Sequence, residues 1–207
     1  MSTGEPPEKR DSYRPPVPGH RSLREAPPPL DTTPPERRVW TLPLTIGVIA
    51  DTHMPARARE LPYPVITGLR DVDLILHAGD ITTRDALDRV RRLGPPVLAV
   101  RGNQDAPALA MALPVQRVVT VGEWRIGMTH GDGSAGTTQL RAYRSFSDVH
   151  CVIFGHSHQP MNEMMKDTLM FNPGSPTDRR RELTFSFGYL RVTEDGITGE
   201  IVRFQRD

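Results

Sequence analysis

Residues 72–101 read VDLILHAGDITTRDALDRVRRLGPPVLAVR. An apolar run over 72–78 gives way to a helical pattern that starts near Thr83 and stops at Gly94. A second apolar run then fills 95–101. Strand, helix, strand at this spacing is a βαβ unit and predicts a largely parallel sheet. Upstream, LTIGVIA (44–50) reads as another buried strand. Downstream, QRVVTVGEWRIGMTH (116–130) is two apolar runs joined by Gly122 and Glu123, which predicts a β-hairpin. Helical periodicity covers GTTQLRAYRSF (136–146). The runs HCVIFG (150–155), DTLMFNPG (167–174), LTFSFGYLRV (183–192) and ITGEIVRF (197–204) come next. The last two alternate apolar and polar residues and read as antiparallel strands. The pattern is that of an α/β protein with two sheets.

Composition sets the outer limits. Residues 1–38 hold ten of the 21 prolines, mixed with charge, Ser and Thr. Such a segment has little apolar surface to bury, so it is expected to be a disordered tail. The folded domain is expected over 39–207. Lys and Arg total 26 against 25 Asp and Glu. This balance gives no basic face for nucleic acid and no polybasic membrane anchor. The single cysteine, Cys151, excludes an intrachain disulfide framework. No apolar run is long enough for a membrane span, and no signal-peptide core is present at the N-terminus. A soluble cytoplasmic protein is expected, and homo-oligomerisation stays open.

The chemistry lies at the residues just after each apolar run. The strand at 44–50 runs into Asp51, Thr52 and His53. The run ending at Gly79 meets Asp80, and the run ending at Gly102 meets Asn103. The hairpin ends in His130, and VIFG (152–155) runs into His156 and His158. Ligand sites of open α/β sheets form at the carboxyl ends of strands. Five such endings in Asp, His or Asn predict one convergent site. In an extended chain, residues i and i+2 point the same way, so Asp51 with His53, and His156 with His158, are each expected to face one point. Two carboxylates, four imidazoles and one amide exceed a single tetrahedral site and suit two ions. Nitrogen and oxygen donors without thiolate favour Mn²⁺, Fe, Zn²⁺, Co²⁺ or Ni²⁺, with Mn²⁺ first. His77 reads as a packed neighbour of the site, His150 as solvated and Cys151 as a small core residue.

The ordered motifs D-x-H (51–53), G-D (79–80), G-N-x-D (102–105), H-G (130–131) and G-H-x-H (155–158) resemble the calcineurin-like metallophosphoesterases. NPGSP (172–176) is similar to the small bacterial and archaeal phosphodiesterase branch, which includes the retromer subunit of this fold. The resemblance covers roughly 43–205. It implies a four-layer α/β/β/α sandwich of two mixed sheets flanked by helices. It implies that Asp51, His53 and His158 hold one metal, that Asn103, His130 and His156 hold a second, and that Asp80 bridges. Asp80, Asn103 and His130 are the implied catalytic residues, with a metal-bridging hydroxide attacking phosphorus in line. Asp105 and Asn172 are implied to orient their neighbours, and Gln104 to touch substrate.

One position departs from that pattern. Many relatives place a histidine acid at 104, and this chain has Gln104. Glutamine donates a hydrogen bond to phosphate but no proton near neutral pH. The expected activity is therefore hydrolysis of a small phosphodiester. The competing readings are a non-catalytic metal-binding interaction scaffold, and a phosphomonoesterase or phosphoprotein phosphatase. In the arginine-rich DRRRE (178–182), a solvated loop is the default and phosphate recognition the sharper reading.

Overall fold

The computed structural model describes residues 40–206, so the proline-rich segment 1–38 lies outside the described residues. Ten strands and four helices occur in the order β1 (Leu44–Ile49), α1 (Tyr63–Leu69), β2 (Leu74–His77), α2 (Arg84–Arg91), β3 (Val97–Ala99), α3 (Pro107–Ala112), β4 (Gln116–Val121), β5 (Trp124–Thr129), α4 (Thr138–Arg144), β6 (Cys151–Ile153), β7 (Met161–Met165), β8 (Thr168–Asn172), β9 (Phe185–Thr193) and β10 (Gly196–Phe204). They form two five-stranded sheets, β10-β9-β1-β2-β3 and β4-β5-β6-β8-β7. In the first, β1, β2 and β3 pair in parallel, β9 runs antiparallel to β1, and β10 runs antiparallel to β9. In the second, β5, β6 and β8 are parallel while β4 and β7 are antiparallel.

Period-2 alternation decides which layer each side chain enters. Ile46, Val48, Leu74, Leu76 and Leu98 of the first sheet meet Val119, Ile126, Cys151, Ile153, Leu169 and Phe171 of the second in one buried cluster. The residues between them point the other way. Ile75, Val97 and Ala99 meet Val65, Leu69, Leu87, Val90 and Leu109 of α1, α2 and α3. On the far side, Val152, Phe154 and Met170 meet Ala142 of α4. The layers therefore run helix, sheet, sheet, helix, as expected.

The capped helices are the ones legible in the sequence. Thr83 caps α2, its hydroxyl accepting from Ala86 N at 3.2 Å. Thr137 caps α4 in the same way through Leu140 N. The 116–130 hairpin turns at Gly122, whose φ of 58° is the left-handed conformation that such a turn requires. Sequence periodicity does not reveal α1, α3 or β7. Both helices are about two turns or less, carry a proline in the first turn and lack a side-chain cap. β7 is mostly exposed and lacks alternation.

Phe171 is the fully buried ring that joins the sheets. It lies against Gly188 of β9 and Gly199 of β10, where an added Cβ would meet ring atoms at 2.5 and 2.7 Å. Two glycines thus make the hollow that one ring fills. Replacing Phe171 by Ala empties that hollow and is expected to cost about 3–5 kcal/mol. The check is urea unfolding: the midpoint should fall with an unchanged slope.

Candidate metal centre

All the predicted site residues except Asn172 sit in loops just beyond strand ends or at the starts of such loops, and most lie at one edge of the sandwich. Two backbone bonds carry the β1–β2 pairing past the strands: Asp51 N donates to Gly79 O and His53 N to Asp80 O, each at 3.0 Å. Within the second sheet, Gly155 N donates to His130 O at 3.2 Å, carrying the β5–β6 pairing past its strands in the same way. His156 N donates to both oxygens of Asp51, at 3.1 and 2.9 Å. These bonds tie the loops of both sheets together.

Asp51 and His53 converge, His53 Nε2 lying 3.9 Å from Asp51 Oδ1, but not through extended chain; His156 and His158 part, His158 joining Asp51 and His53 while His156 meets Asn103 and His130. Asp51, His53, Asp80, His156 and His158 all have positive φ, between 42° and 66°. Left-handed backbone at a non-glycine residue costs roughly 1–3 kcal/mol and clusters at functional sites. The strands stop at Ile49 and Ile153, and the turns beyond them aim the side chains.

Two donor clusters result. Asp51, His53 and His158 bring one ligand atom each within 4.8 Å of one another, and so do Asp51, Asp80 and His130. His158 Nε2 lies 3.3 Å from His53 Nε2 and 3.3 Å from Asp51 Oδ1. His53 Nε2 is 3.6 Å from Asp80 Oδ2, and His130 Nε2 is 3.3 Å from the same oxygen. On the more exposed side, His156 Nδ1 lies 3.0 Å from Asn103 Oδ1, and the His130 and His156 rings stand edge to face at 5.2 Å.

The tautomers leave lone pairs pointing inward. His130 Nδ1 donates to Ala78 O at 2.8 Å, and His158 Nδ1 donates to Asp178 O. A carbonyl only accepts, so each Nδ1 carries a proton, and each Nε2 is the atom that binds an ion once the ring is neutral. His130 Nε2 is buried and has no hydrogen-bond partner. A tetrahedral ion at about 2.0–2.1 Å from two nitrogens holds them about 3.4 Å apart. The 3.3 Å between His53 and His158 Nε2 fits that spacing, so the residues present suit divalent metal ions.

The charge balance agrees. Burial alone would lower the His130 imidazole, yet the Asp80 and Asp51 carboxylates outweigh it and raise it to about 9. Burial would raise Asp80, but His130 and the Gln104 N–H lower it to about 2. His53 and His156 are pushed down, chiefly by burial, and stay neutral.

Other residues hold these donors in place. Gln104 N donates to Asp80 Oδ1 at 2.8 Å, while its side chain is exposed at the mouth. Asp105 accepts from Gly102 N and Thr82 N, both at 2.7 Å, fixing the loop that carries Asn103. Gly102 must lack a side chain, since a Cβ there would lie 2.2 Å from Asp80 Oδ1. Asn172, at the end of β8, bonds Gly155 O and Ser157 Oγ, both at 3.0 Å. His77 is fully buried against Thr52 Oγ1 at 3.0 Å, and burial lowers it to about 3. It is a neutral neighbour of the site. Cys151 is buried, with its thiol pushed up by burial. His150 is exposed as expected, although its Nδ1 accepts from Arg125 N at 3.0 Å.

NPGSP does more than turn the chain. Ser175 Oγ donates to Asp51 O at 2.7 Å, and Thr177 Oγ1 donates to Thr52 O at 2.6 Å. With Asp178 O receiving His158, residues 175–178 brace the first donor cluster from behind. Sequence reasoning does not find Ser175 and Thr177, because hydroxyls that bond distant carbonyls leave no local signal.

Comparisons with known proteins agree with this geometry. Residues 44–195 match the family model described as the calcineurin-like phosphoesterase superfamily domain. A relative from Methanothermobacter thermautotrophicus, named a probable metallophosphoesterase, is 40% identical over 163 residues, covering 77% of this chain and 92% of its own. Vps29 from Chaetomium thermophilum has a similar structure, with TM-score 0.61 and 27% identity over 79% of this chain and 100% of that one. A structure described as a novel archaeal phosphodiesterase has TM-score 0.61 at 20% identity, covering 77% of this chain and 100% of its own, and bears on the fold alone. A chain whose ordered motifs, strand-end donor clusters and family match all coincide belongs to the calcineurin-like metallophosphoesterase superfamily.

Proposed function

We propose that the protein is a phosphodiesterase that works with two divalent ions, Mn²⁺ first among the candidates. The observation that carries this reading is the pair of buried donor clusters, Asp51 with His53 and His158, and Asp51 with Asp80 and His130, whose ligand atoms lie within 4.8 Å of one another. Asp51, His53 and His158 would hold one ion, Asn103, His130 and His156 the other, and Asp80 would serve both. Bound divalent ions supply Lewis acidity toward phosphoryl oxygens and lower the pKa of water.

The chain's own residues do the rest. Ala78 O and Asp178 O fix the imidazole tautomers. The backbone N–H groups of His156 and Gln104 hold the carboxylates in place. Gln104 stands at the mouth as a hydrogen-bond donor that cannot release a proton. The reading therefore favours diesters whose leaving group departs as a stable anion.

Turnover of bis-p-nitrophenyl phosphate by Mn²⁺-loaded protein should exceed that of p-nitrophenyl phosphate. Asp80→Asn and His156→Ala should each lower kcat/KM by ~100-fold or more, as expected for loss of an ion-holding group. Undiminished turnover in both variants would overturn the proposal. A loaded protein with no turnover would favour the interaction scaffold.

Ion binding must displace the His130 proton. Because the folded-state value near 9 lies above the ordinary 6.5, that proton stabilises the ion-free protein below pH 6.5. The contribution is lost as pH rises through about 9. Apparent metal affinity should therefore climb about tenfold per pH unit from 7 toward 9 and then flatten. Calorimetry in buffers of different ionisation enthalpy should find at least one proton released per chain at pH 7. Affinity independent of pH across that window would contradict the assignment of His130.

A further inference from the structure

Two guanidinium groups border the open side of the site, and neither is neutralised. Arg141, on α4, donates through Nε to Gly131 O at 2.9 Å, through Nη1 to Gly136 O at 2.6 Å and through Nη2 to Thr138 Oγ1 at 3.0 Å. Gly131 is the residue directly after His130. Arg180 donates through Nη1 to the His156 carbonyl at 3.1 Å. All four acceptors are uncharged. Among the described residues, neither guanidinium forms an ion pair, whereas Arg57 pairs with Asp178 at 3.1 Å and Arg89 with Asp85 at 2.8 Å.

The placement is specific to one half of the centre. Asp51, His53 and His158 are buried, while Asn103 and Gln104 are exposed and His156 is partly so. Arg180 bonds to His156 O, beside the exposed Asn103, and Arg141 bonds to Gly131 O, directly after the buried His130 of the same half. Of the five N–H donors on each guanidinium, Arg141 keeps two free and Arg180 four.

Charge counting indicates what they await. Two divalent ions against the Asp51 and Asp80 carboxylates leave an excess that one diester monoanion and one hydroxide cancel. Arg141 and Arg180 add two positive charges beyond that need. A terminal phosphate brings about −1.5 to −2 near neutral pH and accepts bidentate guanidinium bonds.

We propose that Arg141 and Arg180 form an anion-binding subsite beside the metal centre, and that the substrate is a phosphodiester carrying a second phosphate, or a comparable anion, outside the scissile linkage. The inference rests on the diesterase reading of the same site. Arg141 is the fixed member, locked by its three bonds. Arg180 is the mobile member, on an exposed side chain with a single tether.

The test is calorimetric binding of thymidine 5′-monophosphate and thymidine 3′,5′-bisphosphate to the Mn²⁺-loaded full chain at low salt. The bisphosphate should bind ~10-fold tighter or better, with the gap closing as salt rises. Arg180→Ala removes an exposed side chain, and the gap should narrow to ~3-fold or less with metal content retained. Arg141→Lys keeps the charge but loses the fork, and should narrow the gap as well. Equal binding of the two nucleotides to the wild-type protein, or a gap that persists in both variants, would overturn the subsite. In parallel, adding a 3′-phosphate to thymidine 5′-(p-nitrophenyl phosphate) should lower KM in the wild type only. Turnover of bis-p-nitrophenyl phosphate reports on the diesterase reading separately, because that ester carries no second anion.

Discussion

Two buried carboxylates set the terms for this structure. Asp51 and Asp80 are 0% and 1% exposed and approach the same imidazoles. Unpaired charge in such a place is strongly disfavoured, and two like charges more so. Almost every local feature answers that problem. Backbone N–H groups from the opposite sheet and from the 102–105 loop reach the carboxylates. Imidazoles surround them, and the two carboxylates raise the His130 imidazole to about 9. The left-handed turns at five donor residues bring these groups together at a local conformational cost. That arrangement is intelligible if positive charge from bound ions completes it.

The fold explains why such a cluster is attainable. Each sheet contains three parallel strands, so the loops after β1, β2 and β3, and those after β5 and β6, leave by the same edge. The sheets are bound by a shared apolar layer in which Phe171 fills a hollow lined by Gly188 and Gly199. The interface is rigid because it is filled. Donor atoms about 3–4 Å apart, contributed by two sheets, need that rigidity.

Much of this is legible in the sequence because it is local. The runs at 44–50, 72–78 and 95–101 alternate with a helix whose cap, Thr83, is a side-chain signal. The five residues of the two donor clusters, Asp51, His53, Asp80, His130 and His158, come just after strand ends, and that pattern points to them. The physical cause of their convergence is different from the one the sequence suggests. Extended i, i+2 geometry is the expectation, and left-handed turns do the aiming. Short helices with Pro64 and Pro107 near their N-termini offer too few residues for periodicity. Ser175, Thr177, Arg141 and Arg180 act through bonds to distant or neighbouring backbone carbonyls, which sequence spacing does not encode.

The central claim is that the seven donors hold two ions, with Asp80 between them. Crystals grown with Mn²⁺ and measured on either side of the manganese absorption edge test it most directly. Two anomalous peaks per chain are predicted, about 3.5–4 Å apart. One should lie among Asp51, His53 and His158, and the other among Asn103, His130 and His156. A single peak, or none near these residues, would contradict it.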